Sequence, residues 1–210
     1  MRSAGFFCIL EYKSIDIMSN LTEAQANVEW TKLYGKFEEL GLTKFYDMDK
    51  LREEVISSPC TTNEDSGTAY KGALLIHILM VMGLSQRIAK MISGTFQIDE
   101  NSLMKVCALM HLSKRDMFEE STNDWDIKRG YPFKFKETGG VMSTGERSIL
   151  EAMNNGVKFT AEEFEAMRAL DNDDTAKKPF QGIMTTVIRQ ANELAFSIAK
   201  ERYKKIKAQQ

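Results

Sequence analysis

The run from Tyr70 to Ile92 limits the folds open to this chain more than any other stretch. Leu74, Leu75, Ile78, Leu79, Met82, Leu84, Ile88 and Met91 surround much of a helix's circumference instead of forming one stripe. A helix of that kind has to be enclosed by other elements. His77 lies inside it, and a buried imidazole needs a pocket, a hydrogen-bond acceptor or a metal to face. A chain of 210 residues is long enough to supply the enclosing layer within one domain.

The flanking sequence reads as that layer. Asn20 followed by Glu23 has the form of a helix start, and the amphipathic run with Val28, Leu33, Tyr34 and Phe37 ends before Gly41. A short helix spans about Met48 to Ile56, and Cys60 to Gly67 is a polar loop. Asp99 caps a helix running to His111 or beyond, with Glu100 in its first turn. Further helices are predicted over about Glu146–Met153, over Ala161–Leu170 behind a Thr160/Glu163 capping box, and from about Phe180 onward. Between them, Phe133-Lys134-Phe135-Lys136 alternates as a strand does, after turn chemistry at Arg129-Gly130-Tyr131-Pro132. The expected fold is all-α, a helical bundle with a small β-hairpin insertion. It forms a single domain over residues 20–210 behind a flexible arm over residues 1–19, where Met18 begins a more natural helical sequence.

Formal net charge is -2, so no global basic field recruits nucleic acid or a membrane surface. Cys8, Cys60 and Cys107 are widely spaced and read as reduced thiols of an intracellular protein. No stretch reads as the roughly 18 apolar residues of a membrane span. Gly5 to Leu10 is shorter than a secretory core, so the expected location is cytoplasmic.

The chain has two histidines, one inside the apolar helix and one ending Val106-Cys-Ala-Leu-Met-His111. Spacing alone allows core imidazoles held by carbonyls, or a pair of metal ligands. The order of four motifs resembles the HD-domain phosphohydrolase superfamily, above all its small bacterial and phage members. They are Gly72-Ala-Leu-Leu-Ile-His77, Ala108-Leu-Met-His111, Gly145-Glu-Arg-Ser148 and Arg189-Gln-Ala-Asn192. The resemblance covers about residues 25–205.

It implies an all-helical bundle whose family members hold a divalent metal through two histidines, an aspartate following the second, and a late aspartate. Here His77 and His111 match the histidines, whereas Leu112 and Asn192 stand where the aspartates belong. Thr144 and Leu170 stand where related members carry accessory histidines. Two imidazoles and a carboxamide supply no anionic oxygen for a hard cation. Asp116, Asp171, Asp173 and Asp174 are the nearby carboxylates that could compensate.

The resemblance therefore implies a catalytically inactive relative that binds a nucleotide or other phosphorylated ligand without hydrolysing it, with no cofactor. The expected ligand site comprises His77, His111, Lys114, Arg115 and Thr144, with Arg147, Arg168, Arg189 and Asn192, because arginine forks suit phosphate oxygens. A divergent metal-dependent phosphohydrolase or exoribonuclease, with His77 and His111 as ligands, is the alternative. A second is a nucleic-acid-binding or interaction module, since Lys128 to Lys136 interleaves bases with aromatics as single-strand binders do. The basic Lys200–Lys207 segment is explained by the helix dipole alone. Self-association stays open.

Overall fold

The computed structural model describes residues 21–137, 142–169 and 182–209. Among these, the α-helices are α1 (Glu23–Glu39), α2 (Met48–Ser57), α3 (Ala73–Ile92) and α4 (Glu100–Leu109), then α5 (Asp124–Lys128), α6 (Thr144–Asn154), α7 (Ala161–Arg168) and α8 (Ile183–Lys207). Two short strands, β1 (Phe118–Glu120) and β2 (Phe133–Phe135), form an antiparallel pair. The described chain is mostly helical, with this ribbon as its only sheet.

The apolar circumference of α3 makes it the axis. α8 and α4 pack along it most extensively, and α1 and α2 cover further sides. Leu74, Leu75, Ile78 and Val81 are wholly buried, meeting a core that includes Leu33 and Phe37 of α1 and Val106 and Leu109 of α4. Along α8, Ala191, Ala195 and Ala199 recur every four residues and are buried, so this helix can approach closely. The loop before α3 exploits that approach. A Cβ on Gly67, whose φ is +71°, would lie 2.3 Å from the Ala199 carbonyl oxygen, so only glycine fits there.

Several boundaries move for identifiable reasons. The first helix is capped by Thr22, whose hydroxyl and Gln25 form a reciprocal capping box, two residues later than the expected start at Asn20. Helix α3 begins at Ala73, not Tyr70, because Gly72 adopts φ +87° and its N–H is taken by the Ser58 carbonyl. Helix α6 begins at Thr144, since Ser143 and Glu146 form a capping box.

The hairpin is corrected most. Its first strand is Phe118–Glu120, upstream of the expected Trp125–Lys136 segment, and the presumed turn at Arg129-Gly130 is the end of α5, with Gly130 at φ +83°. Two adjacent glutamates hid β1. Register pairs Glu119 with Lys134, and their side chains meet at 3.0 Å.

Contrary to the sequence reading, α3 is long and apolar enough to cross a membrane by length and composition, and 61% of that window is buried by the other elements. The expectations for the arm over residues 1–19, the Gly139-Gly140 connection, Leu170, Asp171, Asp173, Asp174 and the helix start at Phe180 lie outside the described residues.

Candidate functional site

Three elements bring one polar residue each into the interior. His77 is in the second turn of α3, and His111 follows α4 at the start of a 3-10 turn over Leu112–Asp116. Asn192 lies midway along α8. His77 Nε2 is 2.8 Å and His111 Nε2 2.9 Å from the same atom, Asn192 Oδ1. Both histidines are 2% exposed, and their ring centroids are 4.9 Å apart. Phe196, one helical turn beyond Asn192, has its ring centroid 4.1 Å from that of His77.

This geometry sets the protonation of the pair. A carboxamide oxygen has two lone pairs and accepts from both rings, so each imidazole carries its proton on Nε2. Burial, then the Lys114 charge, holds His77 down at about 3. Burial, the Lys114 charge and His77 together hold His111 well below its ordinary value. Both rings are neutral at pH 7. The Nδ1 atom of His111 is buried without a hydrogen-bond partner among the described residues, and on this tautomer it presents a lone pair.

Lys114 supplies the positive charge. Its Nζ donates to the Cys60 carbonyl at 3.2 Å, lies 3.7 Å from Cys60 Sγ and sits 5.4 Å from the Phe196 ring centroid. Leu112 is 1% exposed and belongs to the hydrophobic core. Among the described residues no three His, Cys, Asp or Glu side chains are grouped to hold a metal ion.

The arginines of the expected basic cluster each meet a protein partner. Arg115 donates through Nε to Glu54 at 2.6 Å, and through its two terminal nitrogens to Glu151 at 2.8 and 2.5 Å. One of those nitrogens also reaches the Leu112 carbonyl at 2.9 Å. Its fork is therefore spent on joining α2, the 3-10 turn and α6. Arg168 is half-exposed and 3.8 Å from Glu146. Arg147 donates to the Met142 carbonyl at 3.2 Å, and Arg189 lies 4.0 Å from Glu193.

Thr144 acts through its backbone, its carbonyl accepting from the Ser113 hydroxyl at 2.9 Å. Ser148, which closes the Gly145-Glu-Arg-Ser148 motif but is not among the expected site residues, accepts from the Ser113 N–H at 3.2 Å and reaches the Met110 carbonyl at 3.1 Å. It clamps the turn that follows His111 onto α6.

Sequence reading also missed a cleft of about 20 Å³ beside His77, bounded by Tyr70, Ile76 and Ala199, with Arg202 among its lining residues. The available signal was the spacing of Ala195, Ala199 and Arg202, which share one face of α8. No family model, curated protein or solved structure matches this chain.

Proposed function

We propose that this chain is an HD-domain-like helical protein whose metal site has been dismantled, and that it binds a nucleotide or other phosphorylated ligand without hydrolysing it. The observation that carries this reading is the convergence of both imidazole Nε2 atoms on the neutral Asn192 carboxamide. In a hydrolase of that family, carboxylates would neutralise part of the metal's charge and the metal would generate the nucleophile. Here the polar core is uncharged, its two N–H groups are satisfied by one oxygen, and the residue after His111 is a buried leucine. Such a cluster holds three helices in register and generates no hydroxide.

What remains suited to phosphate is cationic. Lys114 stands next to the neutral rings with no carboxylate within salt-bridge distance among the described residues, and the cleft beside His77 has Arg202 in its wall. A fixed positive charge over an apolar, partly desolvated surface attracts an oxyanion more strongly than the same charge in water.

Purified protein should release a phosphorylated small molecule on heating, or show a nucleotide-dependent rise in melting temperature, while liberating no phosphate from the same compounds. Absence of both released ligand and thermal shift across a panel of nucleotides would refute the binding reading.

One observation favours a second reading. Nε2 to Oδ1 separations of 2.8 and 2.9 Å match the edge between neighbouring ligands of an octahedral metal at roughly 2.1 Å, about 3 Å. An all-neutral donor set suits a borderline transition metal better than magnesium. Elemental analysis of the purified chain separates the readings. Stoichiometric metal would favour a divergent hydrolase, and substoichiometric metal the inactive binder.

A further inference from the structure

The cleft beside His77 contains two polar groups that the histidine cluster does not use. Tyr70 is 9% exposed, and its phenol has no hydrogen-bond partner among the described residues. Arg202 lines the same cleft and makes no ion pair or hydrogen bond to a described residue. Burial pushes the Tyr70 phenol up, so at neutral pH it is a protonated donor, and the Arg202 charge acts on it in the opposite sense. The two groups are thus within electrostatic reach of each other.

The rest of the wall is apolar or already engaged. Ala73, Ile76 and Ala199 carry no polar side-chain atom, and the Thr68 hydroxyl is bonded to Thr61 at 2.9 Å and Ser66 at 3.0 Å. Among the described residues no carboxylate lines the cleft. A volume of about 20 Å³ admits one oxygen-sized group and not a nucleobase or a sugar. Two unengaged donors, one of them a permanent cation, and room for one oxygen together describe a seat for an oxyanion.

We propose that this cleft seats one oxygen of the ligand's terminal phosphoryl group, with the Arg202 guanidinium and the Tyr70 hydroxyl donating to it and the rest of the phosphoryl group and the organic part at the mouth toward solvent. The assignment rests on the phosphorylated-ligand reading above and specifies which group of the ligand is recognised. It moves phosphate recognition from the expected arginines, of which Arg115 is spent on carboxylates, to a residue on the last helix.

The test is calorimetric titration of the full chain with inorganic phosphate, a nucleoside 5′-monophosphate and the parent nucleoside. Wild type, Arg202→Gln, Tyr70→Phe and a surface control, Lys44→Gln, are compared, with ligand-free melting checked for each. Phosphate and the monophosphate should bind wild type and the control, and the nucleoside should not. Arg202→Gln should weaken both about tenfold or more, and Tyr70→Phe, which keeps the ring, should weaken both several-fold.

Unchanged affinity in Arg202→Gln and Tyr70→Phe would put the phosphate elsewhere and overturn the cleft assignment while leaving a phosphorylated ligand in place. A nucleoside binding as tightly as its monophosphate would also overturn the assignment. Failure of both phosphorylated probes on wild type would take the broader reading down with it.

Discussion

Lowering the pH from 7.5 to 5 should destabilise this protein by about 4 kcal/mol through its two histidines alone. An unfolded imidazole takes up a proton as pH falls through about 6.5. His77 in the folded chain does not protonate until about 3, and His111 is likewise held well below its ordinary value. Both groups have folded-state values below their unfolded ones, so the unfolded chain binds more protons throughout this window. Stability is complete above the unfolded value and is lost as pH falls from there toward the folded value. At pH 5 each ring costs about 2 kcal/mol of that stability, a large share of the roughly 5 to 15 kcal/mol of a typical domain.

The window is unusually clean because the chain has only these two histidines and carboxylates titrate mainly below it. Urea unfolding followed by the fluorescence of the buried Trp30 should show a midpoint between about one and two molar lower at pH 5. Coincident midpoints at the two pH values would refute the reasoning. So would imidazole resonances in the native protein that titrate near pH 6.5.

Arg115→Met should destabilise the fold by about 2 to 3 kcal/mol in the same unfolding assay, because it leaves half-buried Glu151 without its cation and Glu54 with only Lys50 at 3.7 Å among the described residues. Short single-stranded oligonucleotides should give no gel shift at physiological salt. In the insertion, Glu119, Glu120, Asp124, Asp126 and Glu137 outnumber Lys128, Arg129, Lys134 and Lys136, and Lys134 is paired with Glu119. A salt-sensitive shift abolished by Lys134→Glu with Lys136→Glu would favour the nucleic-acid reading instead. Leu112→Asp combined with Asn192→Asp should raise the manganese or zinc content of the purified protein to near stoichiometry. A folded double variant that takes up no metal would show that the motif correspondence is wrong.

Periodicity made the helical architecture legible, because α3 announces its own burial and the capping residues Asp99 and Thr160 sit where short-range chemistry requires. It failed where pairing is non-local. Nothing in Phe118-Glu119-Glu120 marks a strand until Phe133–Phe135 is brought beside it, and ribbons of three residues carry too little alternation to read. At the site, His77, His111 and Asn192 were identified individually from motif order, but their meeting at a single oxygen depends on how α3, α4 and α8 cross. Arg115 illustrates the converse. Arg115 sits four residues after His111 in sequence, yet its turn directs the guanidinium into Glu54 and Glu151. Proximity along the chain says little about direction in a 3-10 turn.

The shared oxygen also explains why carboxylates at 112 and 192 would have to be introduced together. A carboxylate at Asn192 with Leu112 retained would bury one negative charge between two neutral rings, and the least costly response would be to draw a proton onto an imidazole. An aspartate at 112 with Asn192 retained would place its charge against the core residues that now enclose Leu112, with Lys114 as the nearest cation on the same turn. Either single change creates a buried charge, whereas both together with a divalent cation approach neutrality. The present set is the other neutral solution, in which two N–H donors meet one carbonyl oxygen and no ion is required. A chain that settles on that solution keeps the three-helix junction intact and leaves Lys114 and Arg202 without a metal or a buried carboxylate competing for their charge.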